Sequence, residues 1–217
     1  TPSIKIMPVS DGYVVVDATA VTEGAALKTQ MVALGAIDVS DHGRYVSGRV
    51  PISMLDKLAN LDQLRVARPF YAETRTGSVL SQGDEAQASD IVRDAGSPPA
   101  YTGAGVEIGV LSDSYDCGDP SLLTDAADDI ASGDLPAGGV NVLLEEPGCG
   151  SGSDEGRGML QLVHDVAPDS PLHFHSAFGG IASFANGIGA LVTAGADVVV
   201  DDVFYFAEPM FQDGIIA

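Results

Sequence analysis

The residues best suited to do chemistry are acids. Ser153 to Pro168 reads Ser-Asp-Glu-Gly-Arg-Gly-Met-Leu-Gln-Leu-Val-His-Asp-Val-Ala-Pro, a helix that opens on negative charge. Ser153 or Asp154 is positioned to cap it, and Glu155 sits in the first turn, where unpaired N–H groups favour an anion. Met159, Leu162 and Val163 follow Glu155 along one face at helical spacing, and Pro168 ends the run. A carboxylate at a helix start either caps the helix or serves as an acid–base group, and helix physics alone favours the cap. Other acids stand where apolar strands finish: Asp113 after Val106–Leu111, and Asp201 with Asp202 near the end of the run from Asp197 to Val203. In open parallel sheets, ligands and reacting groups gather at the carboxyl ends of strands. For Asp201 and Asp202 a cleft role and a structural hydrogen-bonding role both stay open.

Other side chains carry weaker signals. Cys117 and Cys149 each lie in a Gly/Asp-rich loop, and a disulfide between them is expected, with two free thiols as the alternative. Without convincing His partners they make a poor zinc site. His173 and His175 alternate along Leu-His-Phe-His and share one face; with no third ligand evident, a polar sheet face is expected rather than a metal site. His164 is expected in solvent, on the side of its helix away from Glu155. Asp113, Asp116, Asp119, Asp125, Asp128, Asp129 and Asp134 could build a calcium loop, but no Asp-x-Asp-x-Asp-Gly register exists, and a solvated acidic face is the simpler reading. Calcium is the one cofactor the sequence brings into question. Ser112, Ser114, Ser151 and Ser153 are poor nucleophiles, since none sits on a strand–turn–helix elbow. Thr102-Gly103-Ala104-Gly105 precedes its strand, whereas a dinucleotide fingerprint follows one.

Composition narrows the class. The chain has 217 residues, enough for one large or two small domains, with 31 acidic against 10 basic side chains and a formal net charge of −21. That balance argues against nucleic acid or an anionic membrane as partner, because both demand basic patches. It suits a protein kept soluble by self-repulsion, in acid or in high salt. No apolar run is long enough to cross a membrane. No signal peptide is visible, though a mature or trimmed chain would show none.

The elements that must position the acids fall into two styles. A β-rich run over 12–19, a helix from Glu23 to Leu34 capped by Thr22, strands Ile37–Ser40 and Arg44–Val50 around an Asp41-His42-Gly43 turn, a helix opened by Pro51, and a strand from Leu64 to Ala72 give βαββαβ. This is a ferredoxin-like module. A boundary falls near Thr74–Gln82, followed by a short amphipathic helix, Asp84 to Ala95, with Ala88, Ile91 and Val92 inward. Strands Val106–Leu111, Val140–Leu144, Leu172–His175 and Asp197–Val203 then alternate with the Glu155 helix and a helix from Ile181 to Ala194. That order implies an open parallel α/β sheet with helices on both faces, with a last helix beginning at Pro209.

The segment Thr-Gly-Ala-Gly-Val-Glu-Ile-Gly-Val-Leu-Ser-Asp-Ser resembles the part of subtilisin-like serine proteases that carries the triad aspartate, matched here by Asp113. Ala-Gly-Ala-Asp-Val-Val-Val-Asp-Asp-Val resembles their later segment, helix into strand, whose edge pairs with the bound peptide. Val-Ala-Pro (166–168) resembles the close of the helix that carries the catalytic histidine. Where subtilisins have His-Gly-Thr, this chain has Glu155-Gly156-Arg157, and a glutamate there is the base of the related sedolisins. The sedolisin partner acid, four residues on, is replaced by Met159. The resemblance therefore implies a hybrid pair, Asp113 with Glu155, able to take the proton of a serine in acid. Asp202 falls where a serine lines the substrate cleft.

The resemblance further implies an inhibitory, chaperone-like propeptide over 1–75 and the first half of a catalytic domain over 76–217. The stretch Tyr71–Ser78 would lie in the cleft. The nucleophile segment Gly-Thr-Ser has no counterpart here, so the serine is expected beyond the chain, in a missing C-terminal half, and this chain alone is expected to be inactive. The implied protein is a secreted or extracellular endopeptidase zymogen acting on peptides or proteins. Its rivals are a degenerate protease fold that binds a partner or calcium in its acidic cleft, and a propeptide-like inhibitor acting in trans.

Overall fold

The computed structural model describes residues 9–70, 72–74, 82–95, 101–118, 122–150, 152–209 and 211–216. Within them the chain is mixed α/β, with seven α-helices and both antiparallel and parallel sheets. The first β-rich run forms β2 (Tyr13–Ala20), which pairs with β4 (Tyr45–Pro51) on one side and β5 (Leu64–Pro69) on the other. β3 (Ile37–His42) extends the β4 edge, and a two-residue β1 (Val9–Ser10) folds back on β2. Alternation splits β2 between two faces. Val14, Val16, Ala18 and Ala20 enter a core with Leu27 and Met31 of α1 (Gly24–Ala33) and Leu58 of α2 (Leu55–Leu58). Val15 and Asp17 face the other way, onto the rest of the chain.

Several local expectations are corrected. Thr22 does not cap α1: its hydroxyl donates to Gln63 Oε1 at 3.1 Å, and Glu23 takes the cap position. The helix after Pro51 is a short 3-10 turn (Ile52–Met54) followed by a single α turn. The helix expected over 84–95 breaks at Ala88, whose φ is +59°, into α3 (Gly83–Ala86) and α4 (Ser89–Asp94). Ile91 and Val92, expected inward, are exposed. The acidic stretch after Asp116 contains α5 (Ala126–Ser132), opened by a reciprocal capping box between Asp125 and Asp128. No helix forms over 211–216.

The second sheet is parallel, in the order β10 (Val198–Asp201), β7 (Ile108–Ser112), β9 (Leu172–Ser176), β8 (Asn141–Leu144). Val110 and Phe174 pack against Met159 and Leu160 of α6 (Glu155–Val166). Leu111 packs against Phe184 and Leu191 of α7 (Ile181–Ala194) on the opposite face. Both faces are covered, as a parallel sheet requires.

The two sheets meet at the start of α7. Its N-cap is Gly180, at φ +96°, where any side chain would collide with Ser47. With no side chain of its own to cap, α7 takes partners from the antiparallel sheet. Asp17 Oδ1 accepts from the Ile181 N–H at 3.0 Å, and Ser47 Oγ accepts from the Ala182 N–H at 3.1 Å while donating to Asp17 Oδ1 at 2.6 Å. Burial raises the Asp17 carboxyl above its ordinary 3.8, against the lowering pull of these bonds. The strand from Leu64 does not run on to Ala72. It stops at Pro69, Phe70 turns into the core against Phe178 and Tyr205, and the chain resumes as β6 (Ala72–Thr74). β6 pairs antiparallel with β11 (Val203–Tyr205), just past the end of β10.

Candidate active site

β7 delivers Asp113 to the carboxyl end of the parallel sheet, where it is 2% exposed. Its Oδ2 accepts from the Ser153 N–H at 2.6 Å and the Ser153 hydroxyl at 2.8 Å. Its Oδ1 accepts from the Gly156 N–H at 3.2 Å and from the Ser114 N–H. Asp113 thus holds the residues on both sides of the Asp154–Glu155 pair, and takes over the capping task expected of Ser153 or Asp154. Its own carbonyl accepts from Ser176 Oγ at 2.6 Å, which ties the site to β9. Gly156 lets the helix start come this close: a Cβ there would lie 2.5 Å from Phe174 and 2.7 Å from the Ser114 carbonyl. Glu155, the first residue of α6, is half-buried beside this junction.

Asp154 has a different job. At φ +55° its side chain turns away from the helix end, and Oδ1 accepts from Ser114 Oγ at 2.8 Å and the Cys117 N–H at 2.7 Å. Behind it lies Arg157, 3% exposed, which sequence reasoning treated only as a departure from His-Gly-Thr. Its guanidinium lies 2.9 Å from Asp116, 2.9 Å from Asp129 and 3.7 Å from Asp154. It also donates to the Thr124 carbonyl at 2.7 Å. A basic residue inside an acidic segment was the available signal: a lone buried cation needs carboxylates. Nearby, Glu145 accepts from the N–H groups of Tyr115 and Asp116, at 2.9 and 2.8 Å. Burial, and then the charge of Asp116, pushes the Tyr115 phenol upward.

Cys117 and Cys149 form the expected disulfide, joining the loop after β7 to the loop before α6. The two sulfurs and buried Glu146 make the one cluster of metal-ligand type found among the described residues, and sulfurs spent in a disulfide are not metal ligands. The acids weighed for calcium diverge onto separate tasks. Asp125 and Asp128 cap α5, Asp116 and Asp129 serve Arg157, Asp134 accepts from Ser132 Oγ, and Asp113 holds α6. Asp119 and Ser151 lie outside the described residues.

The histidines are corrected. His173 and His175 do share a face, and it is buried rather than open to solvent, with polar partners for both rings. His173 Nε2 is 2.7 Å from Glu107 and its Nδ1 2.9 Å from Asn141. His175 Nδ1 meets the Ser176 carbonyl at 2.8 Å, and burial pushes its pKa down. His164 is half-buried, not solvated, and its buried Nδ1 has no hydrogen-bond partner among the described residues.

Asp201 is the last residue of β10 and accepts from the Val203 N–H at 3.2 Å; Asp202 follows as the break before β11. Of the stretch Tyr71–Ser78, residues 72–74 are described and run along β11; 71 and 75–78 lie outside the described residues. A cavity of about 540 Å³ opens elsewhere, between β2, β5 and α2. Its lining is aliphatic apart from two arginines, so volume does not locate the chemistry here. No protein-family model matches the chain, and no curated protein sequence matches it. No described helix is long and apolar enough to cross a membrane.

Proposed function

We propose that this chain is the precursor segment of a secreted serine-carboxyl endopeptidase related to subtilisins and sedolisins. The observation that carries the reading is the Asp113 carboxylate bound to residues 153 and 156, on either side of Glu155. In this reading Asp113 orients the helix start and Glu155 is the base. A serine from sequence beyond this chain attacks the peptide carbonyl as its hydroxyl proton passes to Glu155. Glu155 then returns the proton to the leaving amine, and water repeats the cycle on the acyl-enzyme. A glutamate, with a reference pKa of about 4.3, does this best in acid.

Residues 1–75 are the propeptide domain, and the strand order β3-β4-β2-β5 with helices between supports a ferredoxin-like module. Residues 76–217 are the first half of the catalytic domain. β11 is the edge on which a substrate strand lies, supported by the antiparallel seating of β6 upon it. Asp201 and Asp202 border that cleft. The disulfide supports an oxidising compartment. Full-length protein carrying Glu155→Ala or Glu155→Gln, compared with wild type on a denatured protein substrate from pH 3 to 7, tests this. Loss of the base should lower kcat by about a hundredfold or more. Equal cleavage by wild type and variants returns Glu155 to a structural role, and no cleavage by wild type favours a binding protein on a degenerate protease fold.

A further inference from the structure

A cavity of about 310 Å³ opens beside β11. Phe184, Val203, Tyr205 and Ile216 wall it, and these four also pack together in one core cluster. The charged residues among its described lining are both acids, Asp201 and Glu208. Their field is felt in the wall: the Tyr205 phenol is pushed up first by burial and then by the charges of Asp17, Asp201 and Glu208. The cavity also abuts a strand that already carries an extended segment of chain. In the β6–β11 ladder, Val203 pairs with Thr74, Phe204 with Glu73 and Tyr205 with Ala72. Directly paired residues share a sheet face, so register positions 72 and 74 belong to the face of Tyr205 and Val203, the two β11 residues of the cavity that also belong to its core cluster, while Phe204 lines it from the other face. Position 73 belongs to the opposite face.

We propose that this cavity is the subsite for a basic side chain, lysine or arginine, of an extended peptide paired on β11. An aliphatic stem lies against Phe184, Val203 and Tyr205, and the cationic head meets Asp201 and Glu208. The inference rests on the reading of β11 as the substrate edge, and it narrows the substrate class to peptides with a basic residue at that position. It has a test that needs no hydrolysis, because the chain seats its own strand there. Thr74 and Ala72 are replaced singly by Lys, Met and Glu, and amide hydrogen exchange of 203–205 is followed by mass spectrometry. The same substitutions are repeated with Asp201→Asn plus Glu208→Gln, and Glu73→Lys serves as the opposite-face control.

An ion pair at a partly exposed site changes an equilibrium by up to about fivefold, and exchanging Lys for Glu reverses the sign. Lysine at 72 or 74 should therefore slow exchange about tenfold relative to glutamate, with methionine between. The difference should vanish in the neutralised background, and Glu73→Lys should show no coupling to it. Equal protection by Lys and Glu, Met matching Lys, or a preference that survives neutralisation overturns the proposal. Failure of the full-length protein to cleave peptides would defeat the protease reading alone, since the exchange result is obtained without catalysis.

Discussion

Replacing Arg157 by methionine keeps most of the side-chain bulk and removes the charge that three carboxylates share. The cost can be apportioned from their surroundings. The Asp116 side chain is 38% exposed and returns to water. Asp154 keeps Ser114 Oγ and the Cys117 N–H. Asp129 has no such relief. It is 2% exposed, and its Oδ2 meets Arg157 Nε as an ion pair without an aligned hydrogen bond from any described group. Removing one member of a buried pair strands the other, at a cost of about 3–5 kcal/mol. With Asp116 and Asp154 still served, Arg157→Met should lose about 3 kcal/mol. For a chain of this size that lowers Tm by about 6–12 °C. Urea denaturation followed by circular dichroism measures it, reading the midpoint at constant slope. Adding Asp129→Asn should restore at least about 1 kcal/mol, because a neutral amide is cheaper to bury than an unpaired carboxylate. A loss under about 1 kcal/mol, or no recovery in the double variant, refutes the assignment of Arg157 as the clamp between the post-β7 loop and α6.

Two further predictions concern the supports of the site. Asp17 has its carboxyl raised by burial, so the native state holds the proton more tightly than the unfolded chain; the associated stability is present in full below pH 3.8 and is lost as pH rises through the native value. Asp17→Asn lacks that slope, so its stability relative to wild type should improve as pH rises above 3.8 in urea titrations, and a flat or falling relative stability contradicts the burial argument. Cys117→Ser with Cys149→Ser opens a loop spanning a sequence separation of 32 and should cost about 3–4 kcal/mol of stability by chain entropy; an unchanged urea midpoint under oxidising conditions would show that the bridge adds nothing.

The parallel sheet and its helices were legible because buried strands are continuous apolar runs and α7 has a long apolar pattern, so its span matches from Ile181 to Ala194. Short-range rules failed where a distant partner replaced a local one. Thr22 reads as a cap but bonds Gln63, and Ser153 reads as a cap but binds Asp113 through both its N–H and its hydroxyl. Hydrophobic spacing pointed to Met159, Leu162 and Val163, of which Met159 and Val163 do join the core, but it missed Leu160, the fully buried aliphatic residue of that helix. The Asp113–Ser153 contact spans 40 positions and the Asp17–Ile181 contact 164, and no local pattern encodes either. The disulfide was readable from two cysteines in similar loops, since only one pairing exists.

The acids at the carboxyl end of the parallel sheet divide by what they already hold. Asp116 and Asp129 neutralise Arg157, Asp154 spans Ser114, Cys117 and Arg157, Glu145 gathers the N–H groups after β7, and Glu146 accepts from the Gly152 N–H at 2.9 Å. Asp113 spends both oxygens on the start of α6. Each is committed to backbone or buried charge. Glu155 stands at the same junction but only half-buried, at the first residue of the helix that Asp113 secures. Met159 sits in the core with Phe174 and Leu160, so no second acid on α6 takes the place of the sedolisin partner. In the proposal Asp113 fixes the start of α6, and Glu155, the first residue of that helix, is the base that takes the proton of an incoming serine.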